Sequence, residues 1–126
     1  MWQRRHLLGI EELDRGELVS ILDRAREFVD SCTSGAPKHD ELKGKTVVLL
    51  FFEPSTRTLT SFSLAARRLS ADVVSLSRAG SSTVKGETLR DTARNMEAMG
   101  ADIVVIRHGA AGAPQLLARS LDASIV

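Results

Sequence analysis

The feature that most constrains this chain is the stretch Lys45 to Phe52, which is rich in β-branched side chains and apolar without interruption from Val47 onward. A strand that is apolar on both faces needs cover on both faces, the condition of a strand inside a parallel sheet sandwiched between helices. The residues that follow agree with this. Pro54 stops the strand, Ser55 can cap a helix, and Leu59, Phe62, Ala65, Ala66 and Leu69 mark the inner face of that helix at helical spacing. The strand is expected to feed directly into a helix N-terminus.

The same alternation recurs along the chain. Asp14 and Glu17 have the spacing of a capping box, and Leu18, Ile21, Leu22, Ala25, Phe28 and Val29 predict a helix running to about Asp30. Ser31 to Leu42, with Ser34-Gly35 and Pro37, reads as a turn-rich connector. Beyond the second helix, Asp72 to Leu76 predicts a short strand and Ser77 to Lys85 a polar loop. Leu89, Thr92, Ala93, Met96 and Met99 then line one side of a third helix closed by Gly100. Asp102 to Ile106 predicts another strand, Pro114 suits the first turn of a short helix to about Ser120, and Ala123 to Val126 begins one more apolar strand. The expected fold class is α/β, a three-layer sandwich with a mostly parallel sheet flanked by helices, which takes its ligand beyond the carboxyl ends of the strands.

A chain of 126 residues, 43% hydrophobic and 26% charged, fits one globular domain with a single core. Because it stops inside an apolar strand with no polar tail, the domain at 1–126 is expected to be incomplete at its C-terminus. Seventeen basic against sixteen acidic side chains give no reason to expect a nucleic acid or an anionic membrane as partner. Cys32 is the single cysteine, which excludes an internal disulfide or a multi-cysteine metal site and fits a reducing compartment, so a cytoplasmic location is expected. No apolar run approaches a membrane span, and Met1 to His6 is basic but leads into no signal-like region.

Chemistry concentrates in Phe52-Glu53-Pro54-Ser55-Thr56-Arg57-Thr58, at the expected passage from strand to helix. A helix N-terminus presents unpaired amides and the positive end of a dipole, and here three hydroxyls and a guanidinium crowd the same turn. Such a set suits a dianionic phosphoryl group better than a carboxylate, because Arg57 can grip two oxygens while each hydroxyl donates one short bond. Taken alone, the string also fits an ordinary Ser-capped helix with an exposed arginine. A second cluster, Ser81-Ser82-Thr83-Val84-Lys85-Gly86-Glu87-Thr88, is rich in donors: Lys85 supplies a point charge and Ser81 a hydroxyl, although a solvated loop would look the same. A third, Arg107-His108, falls at the carboxyl end of a predicted strand, on the ligand edge of the sheet.

These clusters, in this order and context, resemble the aspartate carbamoyltransferases of the aspartate/ornithine carbamoyltransferase family. The matching stretches are Phe51 to Thr58, Ser81 to Thr92 and Met99 to His108. The resemblance implies that Ser55, Thr56, Arg57, Thr58 and Arg107 bind carbamoyl phosphate, with Thr58 and Arg107 sharing its carbonyl oxygen. It implies that Ser81 and Lys85 enter the aspartate site of a neighbouring subunit, so that active sites lie at the interfaces of a homotrimer. Arg57, Thr58, Lys85 and Arg107 would be the catalytic set, with no metal and no organic cofactor. It also implies carbamoyl phosphate and L-aspartate as substrates, a place in pyrimidine biosynthesis, and a regulatory chain or a dihydroorotase as candidate partners of a full-length protein.

The Val84-Lys85-Gly86-Glu87 loop looks like the aspartate rather than the ornithine branch. A non-catalytic anion-binding or interaction module is the alternative of another class. No Gly-x-Gly-x-x-Gly follows the first strand and no Walker-type loop is present, which argues against dinucleotide or nucleotide binding. Three positions depart from the family pattern: Leu59 stands where many members carry arginine, and Gly109 and Gln115 where proline and histidine are common. The family's carbonyl-polarising histidine, a nearby glutamine and the aspartate-binding arginines have no counterpart among these residues, so the chain alone is expected not to turn over.

The remaining polar residues attract plainer readings. Cys32, with no neighbouring base, is expected to be incidental, and His6 and His39 to be solvated. His108 fits a border of the site as well as a packing role. Glu53 would repel a phosphate, so it is expected to pair with Arg57 or another arginine and orient it. Trp2 is expected to anchor the N-terminus by packing.

Overall fold

A computed structural model describes residues 2–77 and 88–126. Its central strand, β1 (Thr46–Phe51), has Val47, Val48, Leu49, Leu50 and Phe51 all buried, as an apolar run covered on both faces requires. β1 pairs in parallel with β2 (Asp72–Ser77) on one side and with β3 (Ile103–Arg107) on the other, and β3 pairs in parallel with β4 (Ser124–Ile125). The strand order is β2-β1-β3-β4.

Side chains alternate across the sheet, and two core clusters result. On one face Val48, Leu50, Val104 and Ile125 pack with Ala93 of helix α3 (Leu89–Ala98) and Leu117 of α4 (Ala113–Ser120). On the other, Val47, Leu49, Phe51 and Val105 pack with Ala66 of α2 (Thr56–Arg68), with Leu59 against the cluster. The three-layer sandwich expected from the alternating pattern is present, with an all-parallel sheet. Fully burying a Val, Leu or Phe side chain is worth roughly 1.5–3 kcal/mol, so β1 is the energetic centre of the fold.

Several details differ from the sequence expectations. Helix α1 (Arg15–Glu27) has the full capping box between Asp14 and Glu17, but it ends earlier than Asp30 and passes into a 3-10 turn, Val29–Cys32. None of its residues is buried; Leu22 and Val29 are exposed, and Trp2 lines an open cavity together with Ile21 and Ala25. On α2 the inner stripe is Leu59 and Ala66, while Phe62 and Ala65 are exposed, because helical spacing fixes the angle between side chains but not the phase of the helix against the sheet. Met99 is 77% exposed, since it caps the end of α3 just before Gly100 takes a φ of +99°.

The expected solvation of His6 and His39 is also corrected. His6 is half-buried and its Nδ1 accepts the Ile125 N–H at 3.1 Å, while the Leu7 N–H donates to the Ile125 carbonyl at 2.9 Å. The N-terminal segment thereby covers the free edge of β4. His39 is half-buried against Phe28, hydrogen-bonds Ser31, and donates its backbone N–H to the Arg68 carbonyl, tying the connector to the end of α2. The polar loop with Ser81 and Lys85 lies, from residue 78, outside the described residues. Among the described residues no helix is long and apolar enough to cross a membrane.

Candidate functional site

The strand order creates the site. From β1 the chain crosses to β2 on one side, and it then returns past β1 to β3 on the other. The segment leaving β1 enters α2 on one face of the sheet, whereas the segment leaving β3 enters α4 on the opposite face. Two connections that diverge from neighbouring strand ends leave a crevice between them, the usual ligand position in an open α/β sheet. Phe52 to Thr58 follow β1, Arg107 ends β3 and His108 follows it, so both clusters border this crevice. Phe51 and Arg107 are register partners, and the Phe52 N–H donates to the Arg107 carbonyl at 2.8 Å.

Ser55 occupies the N-cap of α2 with φ −159° and ψ 78°, but its side chain makes no capping bond. The expectation that Ser55 caps the helix is met by its position and not by its hydroxyl. The first-turn amides of Thr56, Arg57 and Thr58 have no intrahelical acceptor by helix geometry, and no acidic residue occupies that turn. Ser55 and Thr58 are half-buried, while Thr56 and Arg57 are exposed. The turn combines unpaired amides, three hydroxyls and a guanidinium, with the positive end of the α2 dipole behind them.

Arg107 completes the group from the other side. Its Nε lies 3.9 Å from Glu53 Oε2, both side chains being about half exposed at 46% and 48%. Glu53 thus pairs with an arginine, as expected, and the arginine is Arg107. An exposed pair of this kind is worth about 0.2–1 kcal/mol, little enough for an incoming dianion to compete for the guanidinium. Gly109 lies close under the carboxylate: a Cβ at that position would sit 3.0 Å from Glu53 Oε1. Ser55, Thr56, Arg57 and Thr58 open α2 after β1, and Arg107 ends the neighbouring strand and meets Glu53 there; the positions of Ser81 and Lys85 fall outside the described residues.

One contact was not legible in the sequence. The Phe52 and His108 rings meet edge to face with centroids 5.1 Å apart, and His108 Nδ1 accepts the Ala110 N–H at 3.0 Å. Only the adjacency of β1 and β3 brings these residues together, and strand order is not written in either segment. Cys32 is exposed and distant from this cluster in sequence and element. Among the described residues no group of three His, Cys, Asp or Glu side chains is placed to hold a metal ion. A cavity of about 260 Å³ beside the C-terminal half of α2, lined by Phe28, His39 and Leu64 among others, is at the opposite end of that helix from Ser55 to Thr58.

Comparison with known proteins agrees with this fold. The aspartate carbamoyltransferase catalytic subunit of Opitutus terrae is 54% identical over 125 residues, which cover 99% of this chain and 40% of that protein. The solved catalytic subunit of M. jannaschii aspartate transcarbamoylase superposes with a TM-score of 0.85 at 36% identity, over 97% of this chain and 40% of that one. Ornithine carbamoyltransferase from Thermus thermophilus superposes with a TM-score of 0.83 at 27% identity, over 99% and 42% of the two chains. The chain therefore spans about 40% of the length of the curated relatives it matches. The family model for the aspartate/ornithine carbamoyltransferase carbamoyl-P binding domain matches residues 5–126, and the chain belongs to that family.

Proposed function

We propose that this chain is the carbamoyl-phosphate-binding domain of an aspartate carbamoyltransferase, the enzyme that moves a carbamoyl group from carbamoyl phosphate to the amine of L-aspartate and releases phosphate. The observation that carries the reading is the switch crevice: an uncapped helix N-terminus with Ser55 to Thr58 on one bank and Arg107 on the other. The aspartate branch is favoured over the ornithine branch by the higher identity to the Opitutus terrae subunit.

In this mechanism Ser55, Thr56, Arg57 and the first-turn amides of α2 hold the phosphate group. Thr58 and Arg107 hold the carbonyl oxygen. Attack by the aspartate amine on the carbamoyl carbon builds charge on that oxygen, and donors already aimed at it stabilise the tetrahedral intermediate. The amine nitrogen then gives up one proton to an oxygen of the departing phosphate as the carbon–oxygen bond breaks, and the cationic cradle receives the hydrogen phosphate dianion. Fixing carbamoyl phosphate beside the amine supplies the effective concentration that the reaction lacks in solution. Lys85 and Ser81 are assigned to the aspartate site of a neighbouring subunit, which makes a homotrimer the functional unit; further chain would supply the aspartate-binding half, and the setting is cytoplasmic pyrimidine biosynthesis. A regulatory chain or a dihydroorotase is a candidate partner of the full-length protein.

Calorimetric titration tests the reading. These 126 residues are expected to bind carbamoyl phosphate weakly, to gain no further affinity for a bisubstrate phosphonate analogue, and to form no carbamoyl aspartate. Turnover by this chain alone, or no binding of carbamoyl phosphate at all, contradicts it. Weak anion binding that full-length chain fails to convert into turnover points instead to a non-catalytic binding module.

A further inference from the structure

We infer that His108 is a positioning residue for Arg107, an inference that rests on the carbamoyl-phosphate reading of the crevice. Three contacts converge on the few residues where the two banks meet. The Phe52 N–H donates to the Arg107 carbonyl at 2.8 Å, the His108 ring stands edge-on to Phe52 at 5.1 Å, and His108 Nδ1 accepts the Ala110 N–H at 3.0 Å. The last bond closes a side-chain turn two residues long, as an Asx turn does, and sets the direction of the chain just after β3. It requires a free lone pair on Nδ1, so the neutral ring carries its proton on Nε2.

The effect reaches Arg107 through backbone geometry. Successive side chains at a strand end point to opposite sides, so a ring held against Phe52 and bonded to Ala110 fixes the peptide that also sets the Cα–Cβ direction of Arg107. Among the described residues, the Arg107 guanidinium is otherwise held by the 3.9 Å pairing with Glu53, which is half exposed and weak. Without His108 the guanidinium would sample more directions, and each productive bond to the anion would cost additional ordering. His108 itself need not touch the ligand.

Two substitutions separate the contacts. His108→Phe keeps a ring on Phe52 but removes the acceptor, whereas His108→Asn keeps an acceptor within reach of Ala110 but removes the ring. Carbamoyl phosphate affinity is read by calorimetry and the thermal midpoint in parallel. His108→Phe is expected to weaken binding by about tenfold, the scale of one lost hydrogen bond, with its midpoint close to wild type. His108→Asn is expected to recover most of that loss. Two variants that bind as tightly as wild type overturn the inference alone, and so does an affinity loss in both that is matched by a loss of folded protein. A wild-type chain that binds no carbamoyl phosphate overturns the site reading as well.

Discussion

At the scale of single residues, the proposed anion cradle depends on charge placed where burial contributes little. Arg57 is exposed on the first turn of α2, so its removal leaves no cavity. A hydrogen bond to a charged group is worth about 1.5–3 kcal/mol, so Arg57→Ala should weaken carbamoyl phosphate binding by roughly ten- to a hundredfold. Its thermal midpoint should stay near that of wild type, which a melt run beside the titration would check; a large drop in midpoint would mean that Arg57 is holding the fold. The helix start at Ser55 to Thr58 was legible in the sequence because these residues are contiguous and follow an apolar strand. Arg107 could be placed at a strand end. Its pairing with Glu53 and the seating of His108 on Phe52 could not, because they depend on which strand lies beside β1.

At the scale of elements, hydrophobic period located each helix and each described strand to within a few residues, and the misreadings share one cause. Periodicity does not say what stands opposite a face. The stripe on α1 meets no core, Phe62 on α2 turns outward, and His6 is drawn in because the N-terminal segment runs along β4. That last contact carries a pH dependence. Partial burial, with the adjacent Arg5 adding to it, lowers the pKa of His6 from the ordinary imidazole value of 6.5. Arg5 is itself near Asp122, 3.8 Å away. The folded chain therefore binds fewer protons at His6 than the unfolded chain does. The stability tied to this group is present in full above about pH 6.5 and is lost as the pH falls through that value towards the lower folded pKa. Protonation would also remove the acceptor for the Ile125 N–H. Thermal midpoints followed from pH 7.5 to 5.5 should fall more for wild type than for His6→Asn, whose amide oxygen accepts without titrating. Parallel curves would show that His6 does not govern this edge.

At the scale of the whole molecule, the order β2-β1-β3-β4 is the decisive fact, since it places the two divergent connections side by side and opens the crevice between them. The alternation of strands and helices predicted a parallel sheet, but only the assembled order puts the turn after β1 and the end of β3 on neighbouring strands. The measurement that tests this most directly is an amide chemical-shift map of the 126-residue chain titrated with carbamoyl phosphate. The largest changes are expected at Ser55 to Thr58 and at Arg107 to Ala110, with the β4 edge and the outer face of α1 unmoved. Shifts that instead gather around Phe28, His39 and Leu64 at the far end of α2, or no shifts at saturating ligand, would contradict the crevice as the carbamoyl phosphate site.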